Sequence, residues 1–178
     1  MNMKWQQLII DIFERILQEL ETALDGLTIV ELNRQPRPDC NSIGWLTWHL
    51  TRVQDWAAAE LLGEEQLWIK DNYYAKFNRT PDPEDTGIGD ALEDVVAFRS
   101  PDALTLLEYH RAVLEQSKRY ITGKLSETEL NREFDNPRSP MITNVRTSLM
   151  RLINDNIQHL GQVNYARGML KGWGWLGR

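Results

Sequence analysis

The segment NSIGWLTWHLTRVQD, residues 41–55, has the pattern of an amphipathic helix. It follows two prolines, and either Asn41 or Ser42 can cap the first turn. From that cap to a stop at Gly63, apolar residues recur every three or four positions, at Ile43, Leu46, Leu50, Val53, Ala57 and Leu61. Because this spacing places them on one face, the segment predicts a helix of about 20 residues with one buried side.

Three other segments repeat this spacing. One covers residues 5–24 and another covers residues from about 143 to 168. The third runs from Ser100, which we predict to be the N-cap with Pro101 at the first helical position, to Gly123. No alternating apolar run flanked by turn residues predicts a strand. Four helices of this length predict an all-α fold, a four-helix bundle in which each helix buries one stripe.

The connection between the second and third predicted helices, residues 63–100, is nearly forty residues long. This length is too great for a simple antiparallel turn, so the segment is a long crossover that leaves the two helices parallel. Its first part, EEQLWIKDNYYAKF, can form a short helix. The part from Asp82 to Asp94 holds six acidic residues, no basic residue and the glycines Gly87 and Gly89. We expect a loop there, and it could act as a lid.

A short repeat supports this arrangement. LTIVELNR at 27–34 and LSETELNR at 125–132 share a leucine, a hydroxyl residue, Glu, Leu, Asn and Arg at a constant offset of 98 positions. Each copy follows a predicted long helix. The repeat predicts two related helical hairpins, each with a short helical turn after its first helix.

Chain length, net charge and cysteine content restrict the class of protein. The 178 residues suit a single domain, residues 1–178, and a formal charge of -6 without a Lys and Arg cluster argues against a nucleic-acid partner. The single cysteine, Cys40, rules out an intramolecular disulfide. The N-terminal segment has neither the apolar run of a signal peptide nor the length of a membrane span. We therefore expect a cytoplasmic protein without a membrane partner.

Polar residues on two inner helix faces indicate a site. His49 adjoins the apolar stripe of the second helix, and Asp155 and His159 stand four residues apart on the fourth. Three such donors from two facing helices would leave one side of a divalent metal open, as in a catalytic site. Zn, Ni, Mn and Fe all stay open as the metal. In the alternative interpretation, Asp155 pairs with Arg151 four residues earlier and no metal is involved.

Other reactive residues have simpler interpretations. We expect His110 to be structural. Cys40 stands near a helix N-terminus, which could activate its thiol, but nothing else recommends it as a nucleophile. The tryptophans are most simply core or interface residues, including Trp45, Trp48, Trp173 and Trp175.

The segments NSIGWLTWHLTRVQD at 41–55 and NDNIQHLGQVNYARG at 154–168 resemble the two signature helices of the DinB-like superfamily, particularly its branch of mycothiol-dependent transferases. Similar sequence at 27–36 and 85–113 extends the resemblance over most of the chain. It implies a four-helix bundle with a long crossover, and a divalent metal held by one residue of the second helix and two of the fourth. The residues at those positions are His49, Asp155 and His159. Much of the superfamily has histidine where this chain has Asp155.

The resemblance also implies a chemistry. Related proteins include transferases and an isomerase that use a low-molecular-weight thiol such as mycothiol or bacillithiol, besides many members with no assigned activity. We therefore expect a transferase that joins such a thiol to a small electrophile, as in detoxification. Arg52 and Gln162, each one turn after a ligand, could orient the substrate or could be surface or capping groups. The alternatives are a metal-dependent hydrolase, or a bundle without catalysis that binds a small molecule or partner. Family habit and the tryptophan-rich tail KGWGWLGR at 171–178 lead us to expect a homodimer.

Overall fold

The structure is a computed structural model, and it describes residues 5–134, 141–172 and 174–176. Within these ranges there are helices and one isolated β-bridge, between Glu133 and Asn144, but no strand. The bundle consists of four long helices, α1 (Trp5–Leu24), α3 (Ile43–Leu62), α7 (Ala103–Gly123) and α9 (Val145–Lys171). The predicted all-α four-helix bundle is confirmed.

Short helices lie in the connections, at α2 (Ile29–Leu32), α4 (Leu67–Lys70), α5 (Tyr73–Lys76), α6 (Leu92–Ala97) and α8 (Glu127–Leu130). The crossover thus begins with two short helices where the sequence indicated one. The acidic part is a loop as far as Ala91, and α6 begins at Leu92.

The two copies of the short repeat have the same local structure. The hydroxyls of Thr28 and Ser126 cap α2 and α8, and each accepts from the amide three residues later. The side chains of Asn33 and Asn131 each donate to the carbonyl four residues earlier. The helical turns predicted after the first and third long helices are therefore both present.

The crossover leaves α3 and α7 parallel, as predicted. Thr51 contacts His110, and further along both helices in the same direction Gln54 contacts Ser117. By contrast, α1 is antiparallel to α7, as shown by the ion pairs Arg111–Glu21 and Lys118–Glu14.

The last helix, α9, lies antiparallel to α3. Asn156 donates to Gln54 at 2.6 Å, and the ring of His159 lies against the ring of His49. The same helix is parallel to α1, as shown by the bonds Asn164–Glu19 and Arg167–Ala23. The four long helices therefore run up, down, down and up, and His49 faces the middle of α9.

Apolar side chains from all four long helices form the core, and the crossover adds to it. Its Trp68 is 0% exposed, and Leu67 and Phe77 are buried beside it. Burial of a large apolar side chain contributes roughly 1.5–3 kcal/mol relative to exposure. These three side chains therefore fasten the start of the crossover to the bundle.

The predicted cap of α7 is wrong. The N-cap is Asp102, whose carboxylate accepts from the amide of Thr105 at 2.7 Å. The amide of Ser100 instead donates to Asn33 Oδ1 at 2.7 Å. The last helix also differs slightly from its predicted bounds, because it starts at Val145 and continues to Lys171.

The tryptophan-rich tail is described only in part, since residue 173 and residues 177–178 lie outside the described ranges. Trp175 packs against the core, and the Arg167 guanidinium carbon lies 5.1 Å from its ring centroid. The homodimer stays a prediction, which light scattering at micromolar concentration would check. In the described ranges, none of the helices is both long and apolar enough to cross a membrane.

Candidate metal centre

The facing sides of α3 and α9 bring His49, Asp155 and His159 together. One ligand-type atom from each lies within 4.8 Å of the other two. The two imidazole rings are nearly perpendicular, with an interplanar angle of 86° and centroids 4.7 Å apart. His49 is 5% exposed, whereas the side chains of His159 and Asp155 are 18% and 32% exposed. The cluster is therefore open on its α9 side.

The crossover orients His49. The Nδ1 atom lies 2.5 Å from the carbonyl oxygen of Thr86. A carbonyl only accepts, so Nδ1 carries the proton and Nε2 keeps a free lone pair. The ring of Trp45 stacks on the imidazole with a 4.7 Å centroid separation. Burial lowers the pKa of His49, although the bond to the Thr86 carbonyl acts in the opposite direction. The neutral imidazole is the form that binds a metal.

A neighbouring amide and carboxylate orient His159. Its Nδ1 lies 2.8 Å from Gln162 Oε1, and its Nε2 lies 3.5 Å from Asp155 Oδ1. Burial opposes the charged ring, but the bonds to Asp155 and Gln162 outweigh it and raise the pKa of His159. When His159 is protonated, its ring and the Asp155 carboxylate form an ion pair. A cation between them would take the place of the Nε2 proton.

Asp155 has an unsatisfied oxygen. Its Oδ2 atom is buried and has no hydrogen-bond partner. A buried carboxylate oxygen without a partner is unfavourable by about 1–3 kcal/mol or more, and a divalent cation would satisfy it. Two imidazole nitrogens and one carboxylate oxygen form a donor set known for catalytic zinc and for non-haem iron. The three residues therefore fit a divalent metal.

Comparison with known proteins gives the family. The model of the DinB superfamily matches residues 12–163. This chain belongs to the DinB superfamily. The crystal structure of a conserved protein from Enterococcus faecalis is similar, with a TM-score of 0.85 and 26% identity over 96% of this chain and 99% of the other. No curated protein matches. Members of the DinB superfamily are often metal-binding, in keeping with the cluster seen here.

The two predicted substrate-orienting residues have different surroundings in this member of the DinB superfamily. Gln162 is exposed and bonds His159. Arg52 is 0% exposed, and its guanidinium donates to the carbonyls of Asp85 and Pro83 at 2.8 and 3.1 Å. A substrate could reach Arg52 only after these bonds break. The geometry thus gives Arg52 a role inside the protein.

Sequence reasoning missed two groups near the cluster, the Asp55 carboxylate and the Thr86 carbonyl. Asp55 is fully buried and accepts from the Tyr109 hydroxyl at 2.7 Å and from the amides of Leu67 and Trp68. Burial raises the pKa of Asp55, while these bonds lower it. Its only signal in the sequence was its position within the motif at 41–55. The Thr86 carbonyl had no signal at all, because any residue supplies a backbone carbonyl.

His110 and Cys40 lie apart from the cluster. His110 is 0% exposed and donates from Nδ1 to Thr51 Oγ1 at 3.0 Å, because the Thr51 hydroxyl proton is given to the carbonyl of Thr47. Burial lowers the pKa of His110 to about 4. The structural role predicted for His110 agrees with these surroundings. Cys40 is half-buried and lines a surface cavity.

Two cavities flank the cluster. One, of about 400 Å³, is lined by Asp155 itself and by Thr86, and its other walls include Val53, Trp56, Glu84, Ser148, Arg151 and Leu152. The other, of about 650 Å³, is lined by Gln162 and Cys40, together with Arg37, Asn41, Leu46, Gln158 and Tyr165. Both volumes are in the range of small-molecule sites.

Proposed function

We propose that this protein is a divalent-metal-dependent enzyme that transfers a small thiol to a small electrophile. The observation that carries the proposal is the convergence of His49, Asp155 and His159, with a buried Asp155 oxygen that has no partner. Three protein ligands leave coordination positions for a substrate. When bound there, the metal would lower the pKa of a thiol, so that a thiolate is available near neutral pH.

The protein's own groups would hold the ligands in place. The Thr86 carbonyl and the Gln162 amide oxygen each engage an Nδ1 atom, so that both imidazoles present Nε2. Such outer partners fix the ring orientation of a ligand histidine. The Asp155 carboxylate lowers the net charge of the centre, which makes it a weaker Lewis acid than a three-histidine centre.

The two cavities favour transfer over hydrolysis. A transferase holds two organic substrates, whereas a hydrolase holds one and water. Both cavities have mainly apolar walls, and the smaller one, which Asp155 lines, would hold a small electrophile beside the centre. The larger one also presents hydrogen-bonding side chains such as Gln158 and Tyr165, which would bind a thiol of the mycothiol or bacillithiol type. The thiol would donate its proton to solvent, and its sulfur would form the new bond to carbon as the leaving group departs.

For the metal we propose zinc or nickel, with manganese or iron next. Imidazole and carboxylate sites bind nickel and zinc more tightly than manganese or iron. We also propose a cytoplasmic location, because low-molecular-weight thiols are kept reduced there.

Elemental analysis of protein purified without a histidine tag tests the centre. The wild type should contain about one equivalent of divalent metal, and His49→Ala and His159→Ala should contain little. Wild-type protein that stays metal-free after incubation with zinc or nickel would contradict the proposal.

Activity is tested separately. Metal-loaded protein is mixed with a chromogenic chloronitroarene and, in turn, mycothiol, bacillithiol and cysteine. The sulfur should displace chloride, with a rate that depends on thiol and is lost in His159→Ala. Hydrolysis of a chromogenic ester without any thiol-dependent product would favour the hydrolase instead.

A further inference from the structure

The geometry points to Arg52 as a positioning residue for the metal centre. We infer that it sets the orientation of His49 by holding the crossover residues 83–87, called here the 83–87 segment, against α3. The inference rests on the proposed metal centre. It differs from a substrate-orienting role, because Arg52 would act only through the protein backbone.

The guanidinium fixes the path of the 83–87 segment. Its Nε donates to the Asp85 carbonyl at 2.8 Å, and its Nη2 donates to the Pro83 carbonyl at 3.1 Å. A planar guanidinium that bonds two carbonyls leaves the backbone between them little freedom. The Asp85 carboxylate is bonded by Arg79 at 2.7 Å, but that bond holds a side chain. The amides of Glu84 and Asp85 also donate to Asp82, but those bonds are local to the crossover. Arg52 is the residue that ties this backbone to α3.

The next two residues of the 83–87 segment touch His49. The Thr86 carbonyl accepts from His49 Nδ1 at 2.5 Å. Gly87 has a φ of +82°, and a Cβ placed on it would lie 2.9 Å from His49 Nδ1 and 2.7 Å from the Trp45 ring. The backbone of Gly87 therefore packs closely against the imidazole of His49. A shift of Pro83 and Asp85 would carry the Thr86 carbonyl away from His49.

Arg52 is itself held on every side. It bonds the Tyr109 hydroxyl at 3.2 Å and Asp55 at 3.4 Å, and its guanidinium carbon lies 4.6 Å from the Trp68 ring centroid. A fully buried ion pair adds little net stability, since desolvation offsets the attraction. The ion pair with Asp55 is therefore a weak reason for an arginine at this position, and the hydrogen bonds to the two carbonyls supply a second one.

The test compares Arg52→Met with Arg167→Met. Arg167 is a matched control, because it is also buried, donates to a backbone carbonyl (Ala23, 2.6 Å) and stacks on a tryptophan. Metal affinity is measured by competition with a chelator, on protein shown by circular dichroism to be folded. Arg52→Met should weaken zinc binding about 10–100-fold, the usual effect of removing an outer partner, and Arg167→Met should leave it unchanged.

A second measurement needs no metal. Nitrogen-15 correlation spectra of the metal-free protein report which nitrogen of His49 carries the proton. The wild type should show the Nδ1–H form, and Arg52→Met should show a mixture of both forms. Suppose the wild type binds no metal and Arg52→Met still shows the mixture of His49 tautomers. That result would contradict the proposed function but support the positioning role.

Arg52→Lys decides the matter if Arg52→Met does not fold. Lysine keeps the charge beside Asp55 but cannot bond both carbonyls with one planar group. Its expected loss of zinc affinity is smaller, about tenfold. If Arg52→Lys, or a folded Arg52→Met, binds zinc as tightly as the wild type and keeps the His49 Nδ1–H form, the positioning role is wrong.

Discussion

Two polar regions lie on opposite sides of α3, and each contains a buried histidine. Toward α9, His49 faces His159 and Asp155 across a gap that a cation would span. Toward α7, His110 is buried in the core with its Nε2 atom unpartnered, and its Nδ1–H donates to Thr51 Oγ1. In both cases a protein oxygen fixes the imidazole tautomer.

Burial of a histidine is therefore not what marks a site. The α9 side adds a second histidine, a carboxylate and an adjoining cavity. His110, by contrast, is buried beside Thr51, and in the described ranges it belongs to no cluster of metal-ligand side chains. Convergence of donors and access from a cavity separate the two regions. Both features can be tested by substitution.

The largest expected difference between the regions is in metal binding. His49→Ala removes one of three donors and should weaken zinc binding by roughly 3–4 kcal/mol, since structural zinc sites with four ligands give about 10–16 kcal/mol. His110→Ala should bind zinc as the wild type does. Chelator competition measures the zinc affinity of both variants. Equal losses of affinity would contradict the distinction between the two histidine regions.

The second difference is the dependence of stability on pH. His110 titrates near 6.5 when unfolded, but burial holds its folded pKa at about 4. The unfolded chain therefore takes up the proton first, and stability falls as the pH drops from about 6.5 to 4, by about 3 kcal/mol in all. His110→Gln should remove this part of the slope.

Carboxylates titrate in the same range, so the informative quantity is the difference between wild type and His110→Gln. It is obtained from urea unfolding at pH 7, 5.5 and 4.5. A difference that does not change with pH would show that His110 is not held neutral.

Substitutions at two glycines test how closely the crossover packs against His49 of the metal centre. Gly87 and Gly89 have φ angles of +82° and +81°, so alanine at either position is strained by about 1–2 kcal/mol. Only at Gly87 would the added Cβ meet His49 and Trp45, whereas nothing lies within 4 Å at Gly89. Gly87→Ala should therefore cost a further 1–3 kcal/mol or so in unfolding free energy.

Zinc affinity sharpens this test. Gly87→Ala should bind zinc more weakly than the wild type, because His49 must move. Gly89→Ala should bind it normally. Equal unfolding free energies and affinities for the two variants would show that the 83–87 segment does not press on His49.

The smallest expected effect is at the exposed edge of the centre. Gln162→Leu removes the acceptor for His159 Nδ1 and should weaken zinc binding about tenfold. Gln158→Leu is the control, because Gln158 is one turn earlier, also exposed and beside the same cavity. Isothermal titration of both proteins would reveal whether only Gln162 matters.

Much of the fold followed from local sequence. Apolar residues at every third or fourth position predicted the long helices, and the length of the crossover predicted that α3 and α7 are parallel. The cap of α7 could not be predicted, because Ser100 is engaged by Asn33, 67 residues away in the chain. A local signal such as Ser-Pro-Asp does not reveal a distant partner.

The candidate site shows the same limit. Spacing on α9 and the motif on α3 were enough to nominate His49, Asp155 and His159. Arg52, one turn after His49, could from sequence be a substrate-orienting, surface or capping residue, yet its direction is set by carbonyls of the crossover. A backbone acceptor depends on the path of the chain and is independent of residue identity. Its role becomes visible only in three dimensions.

The parallel arrangement of α1 and α9 has a consequence for protein engineering. Glu19 lies level with Asn164, so Trp5 and Lys171 stand at opposite poles of the bundle. At 1.5 Å per residue they are separated by about 30 Å. A circular permutant would need a linker of roughly ten extended residues to join them. Fusion partners placed at these two poles would start about 30 Å apart.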